Sequence, residues 1–328
     1  MISKRRFATL SVCAATLLAV AAPDLSHPVG VPEAEASAET KIFLNGKPVA
    51  VHFNDGDSFR VLRGRMKDAK ARIAGFNTLE SHGPVHQWGE WTAKEMYVLA
   101  KMATLYSRRG VWHCTSDGKV DTYGRMLAHC PKLGEELVRL GLAHALTIDD
   151  NPADATLLAA QKEAMEARRG MWAHGVPSFI VTSLHSVVVD VNGHGTYYRV
   201  ISTEDGHTVS WRHTEHYAEC QNVCKMEYEV DESKLPGVVD ALKADANATA
   251  LIDGLSDDVL LQLVRDFAHY QHVDREIPKD RRWPLVQLLK GYVASGAFGA
   301  PGDGKPICCM VNVPFKRRYG TGRASCLK

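Results

Sequence analysis

The chain has 328 residues, room for one large domain or two ordinary ones. Hydrophobic residues make up 45% and charged residues 23%, the balance of a soluble globular protein. A formal net charge of +1 rules out recognition of a polyanion by bulk charge, so any phosphate site must be a local cluster.

The N-terminus reads as a targeting segment. Lys4, Arg5 and Arg6 precede an apolar run from Phe7 to Ala22, and Pro23 stops it. That is the layout of a secretory signal, and the run is too short to span a bilayer comfortably. The alternative is an uncleaved anchor. Cleavage is expected after Ala21 or Ala22, or later near Glu35-Ala36-Ser37-Ala38. Val12 before Cys13 is a poor lipobox residue. Residues 23–40 are rich in Pro, Ala, Ser and Glu and read as a flexible leader, so residues 1–38 stand outside the fold. The expected mature protein is exported, periplasmic or secreted, with no membrane span.

From Lys41 the pattern is strand-like. Phe43 to Lys47 runs into an Asn-Gly turn. Val49–Phe53 and Ser58–Leu62 flank Asn54-Asp55-Gly56-Asp57, and Ala71–Phe76 is a further strand. Trp88–Arg108 is predicted helical, with Met96, Leu99, Ala100, Ala103 and Tyr106 on one face and Gly110 ending it. Val111–Cys114 and Arg125–Cys130 are strands joined by a polar loop. Gly134–Leu140 is a short helix. Pro152 opens another, with Leu157, Ala160, Ala164, Ala167 and Met171 on one face. Five short strands with small helices suit a closed five-stranded β-barrel of the oligonucleotide-binding type over residues 41–175. Residues 176–328 read as a cysteine-containing α+β extension of unassigned role. Strands are expected at Phe179–Val191, Tyr197–Ser202 and Thr208–Trp211, helices at Leu255–Ala268 and Trp283–Val293.

Three segments carry chemistry: Asp55-Gly56-Asp57; Arg72 with Asn77-Thr78-Leu79-Glu80; and Tyr123-Gly124-Arg125. Each alone is weak, since Asp-Gly is ordinary turn chemistry and a lone Arg on a strand is usually solvated. Taken in order, and followed by Glu136 to Ala143 and by Arg168-Arg169-Gly170-Met171-Trp172, they resemble the staphylococcal nuclease family over residues 41–175. The resemblance implies a five-stranded barrel with three helices and calcium-dependent cleavage of DNA and RNA. It implies Asp57, Asn77 and Thr78 (by its carbonyl) as metal ligands, for Ca2+ or another divalent cation. It makes Arg72 and Arg125 the phosphate-binding arginines, Glu80 the acidic residue beside the attacking water, and Tyr123 a neighbour of the nucleotide.

The residue types suit those roles. A hard cation on oxygen ligands lowers the repulsion between a phosphodiester and its nucleophile. Planar guanidinium groups hold phosphate oxygens bidentately and stabilise transition-state charge. A loop carboxylate can orient or deprotonate water. Two departures stand out: Asn77 offers a neutral amide oxygen where the family has a second aspartate, and Leu79 replaces its usual proline. Weaker metal binding, another preferred ion and lost activity are the alternatives these departures raise, while the filled charged positions favour activity. The expected function is an exported metal-dependent nuclease; the alternative is a catalytically weakened barrel that binds nucleic acid or a protein partner.

Eight cysteines less Cys13 leave seven, an odd number. Cys114 and Cys130 flank the Tyr123–Arg125 loop on adjacent strands and are expected to pair, closing a loop worth on the order of 3 kcal/mol. Cys220 and Cys224 are expected to pair with each other. His207, His213, Glu215 and His216 read as polar surface rather than a zinc site. Lys316-Arg317-Arg318 with Tyr319 and Arg323 reads as a solvated basic patch.

Overall fold

The computed structural model describes residues 40–184, 197–212, 217–299, 302–317 and 322–328. The expected signal and leader lie outside them. The first hairpin joins β1 (Thr40–Leu44) to β2 (Lys47–Asp55). Asn45 and Gly46 both take positive φ, 49° and 77°, as a two-residue turn matched to strand twist requires. Next come β3 (Ser58–Val61) and β4 (Lys70–Ile73). The expected strand from Ala71 to Phe76 breaks at Gly75 (φ 94°), and β5 (Phe76–Thr78) leaves the sheet to pair elsewhere. After β6 (Val85–Gln87) the long helix α1 spans Ala93–Arg109. It begins five residues later than Trp88 because Thr92 and Glu95 form a capping box there.

Then β7 (Trp112–Cys114) and β8 (Met126–Ala128) precede α2 (Pro131–Arg139) and β9 (Ala143–Ala145). Helix α3 (Ala155–Glu166) is capped by Asp154, whose carboxylate accepts from the Thr156 and Leu157 amides at 2.9 and 3.2 Å. The main sheet has six strands in the order β7-β1-β2-β3-β4-β8, one more than expected. It curls into a half-barrel, an architecture consistent with the oligonucleotide-binding type. Just past its edge strands, Thr115 and His129 exchange two backbone hydrogen bonds of 2.8 Å, and Cys114 is disulfide-bonded to Cys130 with Cα atoms 4.2 Å apart. Alternation along β1 to β4 buries Ile42, Phe53, Phe59, Val61, Ala71 and Ile73 almost completely, and Met96, Ala100 and Ala103 of α1 cover them.

The remainder adds β10 (Phe179–Leu184), β11 (Tyr197–Ser202), β12 (Thr208–Arg212) and β13 (Asn222–Tyr228). Helices α4 (Leu235–Ala244), α5 (Thr249–Ile252), α6 (Asp257–Tyr270) and α7 (Lys279–Ala294) follow, and β14 (Gly304–Val311) closes the order. That makes seven α-helices among the described residues. Helices α4, α6 and α7 pack a second core from Leu235, Leu242, Val264, Phe267 and Leu289. Strand β14 lies between β13 and β6, so Cys308, Met310 and Val311 are buried in the same core as the curled sheet.

That antiparallel pairing overturns the expected Cys220–Cys224 bridge. The β13–β14 register sets Cys224 opposite Cys309, and those two are bonded. Cys220, before the strand, bonds to Cys326 near the C-terminus. The odd thiol is the buried Cys308, which points to the opposite face of β14 from Cys309.

Candidate functional site

The site begins with a close backbone approach. A Cβ on Gly56 would sit 2.5 Å from the Thr78 methyl, so only glycine lets the β2–β3 turn press against β5. The Ser107 hydroxyl of α1 fixes the turn by donating to the Gly56 carbonyl at 2.9 Å. Asp57 is thereby buried facing the end of β4 and β5. Its Oδ1 forms an ion pair with Arg72, and its Oδ2 accepts from the Thr78 backbone amide at 2.7 Å and hydroxyl at 3.1 Å.

Asn77 completes the contact. Arg72 Nη2 donates to Asn77 Oδ1 at 2.5 Å, and Asn77 Nδ2 donates to the Thr78 carbonyl at 2.8 Å. The same nitrogen lies 3.3 Å from His144 Nε2 on β9, where Asn77 and His144 are register partners. His144 Nδ1 is 3.0 Å from the Ala145 carbonyl, which assigns the proton to Nδ1 and leaves Nε2 to accept from Asn77. Burial pushes the His144 pKa down to about 4, consistent with a neutral ring.

Charge balance around Arg72 is acidic. Burial works against its guanidinium, but Asp57, Asp55 and Glu80 outweigh it and hold its pKa above the ordinary value. Asp55 shares the pocket: its carboxylate accepts from the Ser58 hydroxyl at 2.5 Å. Burial, then the Asp57 charge, pushes the Asp55 pKa up to about 7. Asp57, Arg72, Asn77 and Thr78 are therefore in direct contact, with Asp55 and Glu80 within electrostatic reach of Arg72. The Glu80 amide donates to His86 Nδ1 at 3.3 Å, which anchors the loop that carries it.

Arg125 and Tyr123 stand on a separate loop, between β7 and β8. Asp121 organises it, accepting from the Tyr123 and Arg125 amides at 2.9 Å and from Arg125 Nε at 2.7 Å. Gly124, at φ 72°, supplies the left-handed turn. The Arg125 guanidinium lies 5.5 Å from the centre of the exposed Tyr123 ring. Strand β8 runs parallel to β4 with Leu127 opposite Arg72, and that register continued backwards brings Arg125 level with Lys70. Arg125 thus borders the Arg72 face while its own ion pair is to Asp121.

Asp57 and Asp55 offer carboxylate oxygens, the donor type of a hard-cation site, while the Thr78 carbonyl accepts from Asn77 and Glu80 acts on Arg72 through its charge. Among the described residues no group of three or more His, Cys, Asp or Glu side chains gathers as a ready cage.

Residues 70–174 match the family model described as staphylococcal nuclease homologue. Over these residues, about a third of its length, the chain is similar to the SNase-like family. An SNase-like domain is a nuclease-type or nucleic-acid-binding module, and the matched segment holds Arg72, Asn77, Thr78, Glu80, Tyr123 and Arg125. Asp55 and Asp57 lie upstream of it and reach the SNase-like segment only through the β2–β3 turn. No curated protein matches the chain.

Sequence reasoning missed His144, since a lone histidine in Ala143-His144-Ala145 gives no signal until β9 pairs with β5. It also misplaced His207, which is buried rather than on the polar surface. His207 Nδ1 lies 2.6 Å from Asp205 and Nε2 lies 2.7 Å from Asp274, a partner 67 residues away. His213, Glu215 and His216 lie outside the described residues. So do Arg318 and Tyr319 of the basic patch, in which Arg317 binds Glu219 through two nitrogens at 2.8 and 3.1 Å.

Proposed function

We propose that the protein is an exported, divalent-cation-dependent phosphodiesterase that hydrolyses DNA, RNA or both. The observation that carries this reading is the buried contact of Asp57, Arg72, Asn77 and Thr78, with Asp55 and Glu80 beside it. Groups of both signs lose hydration there, so stability alone is a poor reason to gather them. The three disulfides are compatible with an extracellular setting, and no helix among the described residues is long and apolar enough to cross a membrane.

Asp57 and the Thr78 carbonyl would hold the cation, of the calcium type, with Asn77 Oδ1 joining them by exchanging Arg72 for the ion. The ion would supply charge neutralisation at the phosphate. Arg72, held by its ion pair to Asp57, would present its guanidinium to one non-bridging phosphate oxygen. Arg125 approaches from the β8 side and stabilises the charge that accumulates as water adds to phosphorus. Glu80 orients that water and accepts its proton, and the leaving oxygen departs with a proton from solvent. Tyr123 offers an exposed ring for a flanking base.

A second reading, a nucleic-acid-binding module without turnover, is favoured by one observation: the oxygens of Asp57 and Asn77 are already bonded to Arg72 and Thr78. Incubating single-stranded DNA and RNA with the disulfide-intact protein separates the two. Metal-dependent products, abolished by EDTA, are expected with millimolar calcium, manganese or magnesium. Absence of cutting by both the native protein and Asn77→Asp would give the second reading the case.

A further inference from the structure

The outer face of the main sheet carries a row of cations leading away from Arg72. On β4, Lys70 and Arg72 alternate with the buried Ala71 and Ile73, so both point away from the core. On β3, Ser58 and Arg60 do the same between Phe59 and Val61, and the register sets Ser58 opposite Arg72 and Arg60 opposite Lys70. Lys70 and Arg60 are therefore side by side about 7 Å further along the strands than Arg72. The β3–β4 connection, which leads from Arg60 to Lys70, carries Arg63, Arg65 and Lys67, all exposed. From Arg60 to Lys70 there are five cationic side chains and one carboxylate, Asp68. Among the described residues no ion pair holds Arg60, Arg65, Lys67 or Lys70. On the far side His52 sits opposite Arg60, and Arg108 lies 3.1 Å from it, so that flank is cationic too.

The net charge of the whole protein is only +1, so a local excess of this size on one face is a concentrated feature. Exposed like charges repel one another, whereas a polyanion laid along them releases counterions. We propose that this face is a track for the phosphate backbone of one nucleic-acid strand, running from Arg72 across Arg60 and Lys70 to the β3–β4 tip. The row is about one strand pair wide, some 5 Å, which suits a single backbone rather than the two of a duplex. Met66, exposed at the tip between Arg65 and Lys67, offers an apolar contact for an unstacked base. The track deepens the nuclease reading: it would make long single strands better substrates than short ones by binding chain beyond the scissile phosphate.

The test is equilibrium binding in EDTA, where nothing is cut. A fluorescein-labelled oligothymidylate of a dozen nucleotides is titrated with full-length native protein and with the triple variant R63A/R65A/K67A, by anisotropy, over a series of salt concentrations. The track predicts a dissociation constant raised at least tenfold at low salt. It also predicts that the slope of log K against log salt flattens by about 2, from about 0.7 per phosphate over three contacts. Arg65→Glu alone should weaken binding in the same direction. All these side chains are exposed, so thermal unfolding and far-UV dichroism should match the native protein. An unchanged affinity and slope would overturn the track, as would a native protein that ignores the oligonucleotide or prefers phosphatidylserine vesicles. Digestion with metal is scored separately: cutting with unaltered variant binding removes only the track, and salt-sensitive binding without cutting removes only the nuclease reading.

Discussion

Asn77 and His144 meet across the β5–β9 pair, with the amide nitrogen 3.3 Å from a neutral imidazole nitrogen. This contact sets what a carboxylate at position 77 would do. Asn77→Asp would add a negative charge beside Arg72 and remove the donor that now serves both Thr78 and His144. The new carboxylate should draw a proton onto His144, raising its pKa from about 4. The expected outcome is calcium bound roughly tenfold or more tightly, because ligand charge governs affinity for a hard cation. Calcium titration calorimetry of both proteins reads this directly, and equal affinities would remove Asn77 from the metal site.

Arg72 and Arg125 should differ when truncated. Arg72 is bonded to the buried Asp57 and to Asn77, so Arg72→Ala leaves a carboxylate without its ion partner. We expect a loss of about 2–4 kcal/mol of stability along with activity. Arg125 is held on a surface loop by Asp121, so Arg125→Ala should change stability by about 0.5 kcal/mol or less while lowering turnover. Urea unfolding beside a digestion assay separates the pair; equal destabilisation by both variants would contradict the placement.

The Cys114–Cys130 bridge spans 16 positions and ties the two edges of the curled sheet. Replacing both cysteines by serine should cost on the order of 3 kcal/mol. The Thr115 and His129 amides should lose hydrogen-exchange protection before those of β2 and β3, because their mutual bonds depend on the edges being held together. Retained protection at Thr115 would show that the sheet closes without the bridge.

The His207 clamp predicts a pH-dependent contribution. Burial opposes the imidazolium, but the bonds to Asp274 and Asp205 outweigh it and raise the pKa above the ordinary value of about 6.5. A raised folded value means that the clamp's stability is fully present below about pH 6.5 and is lost as pH rises through the folded pKa. His207→Gln should therefore destabilise by about 1–3 kcal/mol at pH 6 and by clearly less at pH 9. Parallel thermal melts at the two pH values check it, and a larger effect at pH 9 would reverse the sign of the argument.

Much of the first half was legible in the sequence because its signals are local. Asn45-Gly46 can close only a tight hairpin, and apolar residues alternate along β1 to β4. The period of α1 was readable too, although the Thr92–Glu95 capping box moved its start. The candidate site was legible as residue types and order, since Asp57, Arg72, Asn77, Thr78 and Glu80 fall within one short span. What the tertiary structure decided was pairing at a distance. Which cysteine meets Cys224 depends on the β13–β14 register, and no spacing in the sequence encodes that. His207 looked like surface because Asp274, the residue that makes its burial tolerable, comes from a segment 67 positions away. The role of Asn77 was readable only as a missing charge. Its bonds to Arg72, Thr78 and His144 exist because β9 lies beside β5. A hydrogen bond needs atoms within about 3 Å, and the chain brings distant residues that close only after its strands have chosen their partners.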